Sequence, residues 1–160
     1  MPHVSFNPTT NQLIQTHPSW DIHRLEQALE KAHSAQQIWA QTTFSQRAEV
    51  LRNAAIRLLA QRDQYATLIT LEMGKPLREA RAEVEKCAGV CDYYAQHAED
   101  FLRAEPVESD AGKSYVAYYP LGVLLAVMPW NFPFWQVFRA AVPALMAGNA
   151  LVLKLSLIHI

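Results

Sequence analysis

Apolar residues recur at helical spacing through most of the first hundred positions, and the pattern then gives way to short apolar runs suited to strands. Val4-Ser5-Phe6 and Leu13-Ile14 flank the turn-forming Asn7-Pro8-Thr9-Thr10-Asn11, which predicts a loose hairpin or surface strand. Asp21 is a candidate N-cap for a helix to about Gln41, with Ile22, Leu25, Ala28, Leu29, Ala32, Ala35 and Ile38 at helical spacing. Ser45 is the candidate cap of a second helix that turns Ala48, Leu51, Ala55, Leu58 and Leu59 inward. A third helix runs from about Asp63 to Glu72 and stops at Gly74, with Pro76 just beyond. Pro76 also suits the first turn of a long helix over about 77–104. The stripe of that helix is Ala80, Val84, Cys87, Cys91, Tyr94, Ala98 and Phe101.

Beyond it the period changes. Tyr115 to Tyr119 alternate like a strand, Pro120-Leu121-Gly122 turns the chain, and Val123 to Val127 form a continuous apolar run that predicts a fully buried strand. A helix follows from Pro133 to about Ala147, stopped by Gly148-Asn149, and Ala150 to Leu153 make a second buried strand. Strand, helix and strand in so few residues form one βαβ unit, whose strands must be parallel. The predicted class is therefore α/β, with N-terminal helices leading into a parallel sheet. Such a sheet needs more than two strands and cover on both faces. Yet Leu155-Ser156-Leu157-Ile158-His159-Ile160 continue apolar where a turn is expected. That hexapeptide matches one reading frame of a transposon end used in preparing sequencing libraries. Residues 155–160 are accordingly expected to be a non-native tail on 1–154.

Size and charge narrow the function classes. The 160 residues are one domain's worth of chain, and 51% hydrophobic content is enough for a core. Fourteen basic and fifteen acidic residues leave a net charge of −1, so no field draws nucleic acid or an anionic membrane. The expectation is no nucleic-acid partner and no membrane. The uncharged stretch between Lys113 and Arg139 is broken by Pro120, Gly122, Pro129, Asn131 and Pro133, which argues against a span. Two cysteines four positions apart make no disulfide framework, and nothing at the N-terminus marks secretion, so the cytoplasm is expected.

The candidate chemistry lies in the turn Met128-Pro129-Trp130-Asn131-Phe132-Pro133. It falls at the carboxyl end of a predicted strand, the edge of an α/β sheet where ligands bind. A connecting turn more naturally uses Gly, Asp or Ser. This one sets an amide donor within an aromatic wall, although an asparagine at a helix start also makes a simple Asx turn. Lys154, at the end of the second strand, faces the same rim, where a lysine reaches ribose or phosphate oxygens or simply stands in solvent. Phe132, Gln136 and Arg139 fall at i, i+4 and i+7 on one helical face, and Arg139 could equally be an ordinary surface arginine. Glu79 and Glu83, interleaved with Arg78, Arg81 and Lys86, read as a solvated, ion-paired face. The six histidines lack metal-ligand spacing, and Cys87 and Cys91 read as small core residues.

Four blocks in order resemble the N-terminal third of an aldehyde dehydrogenase: Glu72-Met73-Gly74-Lys75-Pro76, Pro120-Leu121-Gly122-Val123, Pro129-Trp130-Asn131-Phe132-Pro133, and Ala147-Gly148-Asn149 through Leu153-Lys154. Ala80-Arg81-Ala82-Glu83-Val84 and Leu153-Lys154 look most like bacterial succinate-semialdehyde dehydrogenases. The resemblance implies a Rossmann-like cofactor-binding domain over 1–154, an NAD or NADP cofactor and a small aldehyde substrate. It implies that Asn131 is catalytic, donating to the oxyanion formed as a thiolate attacks the aldehyde. Met128, Pro129, Trp130, Asn131 and Lys154 would touch the cofactor, with Lys154 on its ribose. Phe132, Gln136 and Arg139 would touch substrate, since Arg139 stands fifteen residues before Lys154, where that group carries a carboxylate-binding arginine. A strand hairpin near 113–122 would be of the oligomerisation type, making the full-length protein a homodimer or homotetramer. The family's catalytic cysteine and glutamate lie downstream, so this chain is expected to be inactive alone. A non-catalytic helical interaction module built on 77–104 is the alternative.

Overall fold

The computed structural model describes residues 3–156. The expected N-terminal hairpin is present, β1 (His3–Phe6) antiparallel to β2 (Leu13–His17). Asn7 makes the reversal, its side-chain oxygen accepting from the backbone N–H of Thr9 at 2.9 Å and of Thr10 at 3.2 Å, as in an Asx turn.

Helix α1 (Ile22–Ala40) begins where the Asp21 carboxylate accepts from the Arg24 N–H at 2.8 Å, as expected. Helix α2 (Phe44–Ala60) is capped by Thr43 and not by Ser45. Thr43 has Gln46 three residues on, so hydroxyl and amide each take the other's backbone N–H. Ser45 has Ala48 in that place and can form no such box. Helix α3 (Arg62–Met73) follows after one residue and ends at Gly74, whose φ of +74° is the left-handed conformation of a helix stop. Helix α4 (Leu77–Phe101) starts directly after Pro76.

These helices build the core. Leu51, Ala55 and Leu58 of α2 and Ala66 and Ile69 of α3 close on Ala80, Val84, Cys87, Cys91 and Ala98 of α4. The small residues on α4 let its neighbours approach closely. Burial pushes the Cys87 thiol up to about 12 and that of Cys91 to about 11, so both behave as small apolar groups, as read from the stripe. Leu59 and Phe101, expected inward, are exposed at the margins of the bundle. The α1 stripe is the larger departure: Ile22 is 69% and Ile38 72% exposed. Helical spacing shows that an apolar face exists but not that anything covers it. Polar contacts hold α1 instead, Gln36 donating to the Gly148 carbonyl at 3.1 Å and the Trp39 indole to that of Leu145 at 2.8 Å.

The β-structure is shorter in one place and longer in another than expected. Only Tyr115–Val116 of the 115–119 strand forms a ladder (β4), and its antiparallel partner is Glu105–Pro106 (β3), upstream of the hairpin expected near 113–122. A two-residue ladder can hold no more chain, and Tyr118 is tied outside it by donating to Glu105 at 2.6 Å. Strand β5 (Val123–Pro129) and strand β6 (Ala150–Ser156) are parallel, with α5 (Trp135–Met146) crossing between them. Both strands outrun their expected ends at Val127 and Leu153. Leu155 and Ser156 of the expected tail are thus part of β6, and 157–160 lie outside the described residues. Buried Asn149 sets the register by accepting from the Gly122 N–H at 3.0 Å, while the Ala150 N–H donates to the Gly122 carbonyl at 2.9 Å. Of the supposedly buried β5, only Ala126 is buried, and Leu125 is 70% exposed. Two strands do not complete a parallel sheet, and Leu125 and Val127 of β5 stay exposed. Among the described residues no helix is long and apolar enough to cross a membrane.

Candidate active site

Between β5 and α5 the chain makes the aromatic turn 130–134, and the start of α5 has no capping side chain of its own. The first N–H groups of any helix lack intrahelical partners. Here the partner comes from the second turn of α4. One Glu83 oxygen accepts from the backbone N–H of both Phe134 and Trp135, each at 3.0 Å. The other oxygen accepts from the Lys75 ammonium. Lys75 in turn stands 3.6 Å from the centre of the Phe132 ring, and Lys86 stands 3.8 Å from that of Trp135. Tyr65 of α3 meets Phe134 with ring centres 5.2 Å apart.

The reading of Glu83 as part of a solvated face is therefore corrected: only 5% of the residue is exposed. A sign of this was available. Glu83 lies three residues after Ala80 and four before Cys87, on the buried stripe itself. A helix start lacking Ser, Thr or Asp was the second sign. What the sequence hid was the pairing of these two facts across 51 residues.

Asn131 is exposed, and its amide makes no hydrogen bond among the described residues. The aromatic wall expected around it does not enclose it in this chain. Trp130 and Phe132 beside it are exposed as well. The Phe132 carbonyl accepts from the Gln136 N–H at 3.0 Å, so helical geometry already holds at the turn and keeps Phe132, Gln136 and Arg139 on one face. Gln136 is half-buried; Arg139 is exposed and enters no ion pair among the described residues. Lys154 is exposed and lies within β6, opposite Val127, and not beyond the strand as expected. The parallel register still puts it at the carboxyl end, with Asn131 two residues past the end of β5. Met128 and Pro129, paired with Leu155 and Ser156, are half-buried in the last rungs. Lys154, Trp130 and Glu72 border one cleft of about 730 Å³ against the β1–β2 hairpin. That volume suits a small-molecule site.

The model of the aldehyde dehydrogenase family matches residues 3–158. The chain belongs to the aldehyde dehydrogenase family. It is 51% identical over 151 residues to a Synechocystis protein named probable succinate-semialdehyde dehydrogenase [NADP(+)], a match covering 94% of this chain and 33% of that protein. Escherichia coli has a succinate semialdehyde dehydrogenase named for NAD(P)+ that is 44% identical over the same length. Among solved structures, succinic semialdehyde dehydrogenase from Streptococcus pyogenes in complex with NADP+ superposes with a TM-score of 0.91 at 38% identity, over 96% of this chain and 34% of that one. The chain thus spans about a third of the length of the dehydrogenases it matches.

Proposed function

We propose that residues 3–154 are the N-terminal part of the cofactor-binding domain of an NAD(P)-dependent aldehyde dehydrogenase, and that the enzyme oxidises succinate semialdehyde or a similar ω-carboxy aldehyde to the acid. The observation that carries this is the aromatic Asn131 turn and Lys154 at one end of a parallel pair, in a chain half identical to a succinate-semialdehyde dehydrogenase.

Lys154 and Trp130 share a cleft whose exposed ammonium fits the oxygens of a ribose or phosphate, so with Met128 and Pro129 they would hold NAD or NADP. Bound there, the cofactor supplies the hydride acceptor. The amide of Asn131 would donate to the aldehyde oxygen as a thiolate adds to the carbonyl and that oxygen gains charge. A neutral, pre-aimed donor stabilises the charge by about 3 kcal/mol once water is excluded. Arg139, beyond Phe132 and Gln136 on the same face, would grip the distal carboxylate with two parallel hydrogen bonds. Neither Cys87 nor Cys91 suits the thiolate's part, being fully buried with thiols pushed up to about 12 and 11. The 160-residue chain would therefore not turn over by itself. The whole enzyme would be a cytoplasmic homodimer or homotetramer. The apolar stripe of α4 is taken up by the chain's own core, which counts against an interaction module built on it.

Joining residues 3–154 to the remaining two thirds of the Synechocystis protein gives an enzyme in which to test this. It should reduce NAD+ or NADP+ with succinate semialdehyde. Arg139→Ala should raise KM for that substrate about tenfold or more, the loss of a charged bidentate contact, and leave KM for butanal unchanged. Equal effects on both aldehydes would refute the substrate assignment. A folded chimera with no turnover would refute the function.

A further inference from the structure

Among the described residues the Asn131 side chain has no hydrogen bond to hold it, so its aim depends on its backbone. That backbone is anchored on both sides. Upstream, the β5–β6 ladder persists to Pro129 opposite Ser156. Downstream, Lys75 covers the Phe132 ring at 3.6 Å, and Glu83 takes the N–H groups of Phe134 and Trp135. Lys75 and Glu83 are themselves ion-paired and buried, with side chains 8% and 2% exposed. Only Trp130 and Asn131 remain between the two anchors.

We propose that Glu83, with Lys75, is a positioning residue for Asn131, an inference that rests on the reading of Asn131 as the oxyanion donor. The choice of groups supports a directional role. A buried ion pair often stabilises no better than apolar residues of the same volume. A carboxylate, however, fixes three donors at once, two of them at a helix start where negative charge is favoured. One oxygen holds α5 and the other holds the lysine that lies over Phe132. Any shift of Glu83 is passed to the downstream flank of the turn at two points, Phe132 and the start of α5, and a donor displaced by about 1 Å can lose on the order of a hundredfold in rate.

A double-mutant cycle in the chimera tests this. Asn131→Ala alone should lower kcat about a hundredfold or more. Glu83→Leu should lower kcat about tenfold or more while KM for NADP+ stays within about twofold, since the cofactor cleft is bordered by other residues. The double variant should be no slower than Asn131→Ala, because the carboxylate acts only through the amide. Glu83→Gln keeps an acceptor for the two N–H groups and should retain kcat within about threefold. Multiplying losses in the double variant would overturn the inference and leave the Asn131 reading intact. An unaffected kcat in Asn131→Ala would overturn both. If Glu83→Leu does not fold, Lys75→Met probes the clamp from its other end. A fall in kcat that vanishes in the Asn131→Ala background supports the proposal, and an independent fall overturns it.

Discussion

The helices α2, α3 and α4 bury one another, whereas the parallel pair β5–β6 is covered on only part of its surface. Leu51, Ile69 and Val84 are closed inside the bundle, while Leu125 and Val127 stand open on the sheet. The difference follows from geometry. A helical stripe needs one partner, and α4 finds several; a parallel sheet has two apolar faces and must be covered twice. The candidate chemistry lies on the less complete region. Yet the turn that bears it is fastened to the other region, because Glu83 of α4 holds the start of α5. In sequence Asn131 belongs to the sheet, and in mechanical terms it belongs to the bundle.

Removing that fastening should have the largest effect on stability. Glu83→Leu leaves the Lys75 charge and two N–H groups buried and unmatched, and should lower the unfolding free energy of the 160-residue chain by about 3–5 kcal/mol in urea titrations. A loss below about 1 kcal/mol would mean that the two regions are not joined there. Leu51→Ala, inside the bundle, should cost about 2–5 kcal/mol. Leu125→Ala on the open sheet face should stay within about 0.5 kcal/mol, and similar costs for the two would erase the contrast.

The bundle's cysteines give a pH test. Their thiols are raised from the ordinary 9.0 to about 12 and 11, so folding favours the protonated form. That contribution is complete below pH 9.0 and is lost as the pH climbs toward 11 and 12, so the urea midpoint should fall over this interval. A flat midpoint from pH 8 to 11 would show the thiols reachable by solvent in the native state. The smallest effect belongs to the caps. Thr43→Ala should cost about 1 kcal/mol and Ser45→Ala almost nothing.

How much of this was legible depends on how far apart the interacting residues lie. The α4 stripe, the Gly74 stop and the βαβ order were readable because each is local and periodic. The exposure of Ile22 and Ile38 was not, since a period shows a face but not its cover. Ser45 reads as a cap by residue type alone, whereas Thr43 has its reciprocal partner, Gln46, three residues on. The apolar run Val123–Val127 reads as fully buried, which holds for a strand inside a finished sheet. The aromatic turn, Lys154 and Arg139 stand out by motif and spacing, and the register puts Asn131 and Lys154 toward the same end of the strand pair. Glu83 and Lys75 were missed because their partners are long-range and their neighbours in sequence are charged.

Native-state hydrogen exchange on the 160-residue chain tests most directly whether the turn is held by the bundle. The amides of Phe134 and Trp135 should exchange as slowly as those of Val84 and Cys87, and more slowly than those of Leu125 and Val127. If Phe134 and Trp135 instead exchange with the strand amides, Glu83 does not fix the turn, and the account of how Asn131 is aimed is wrong.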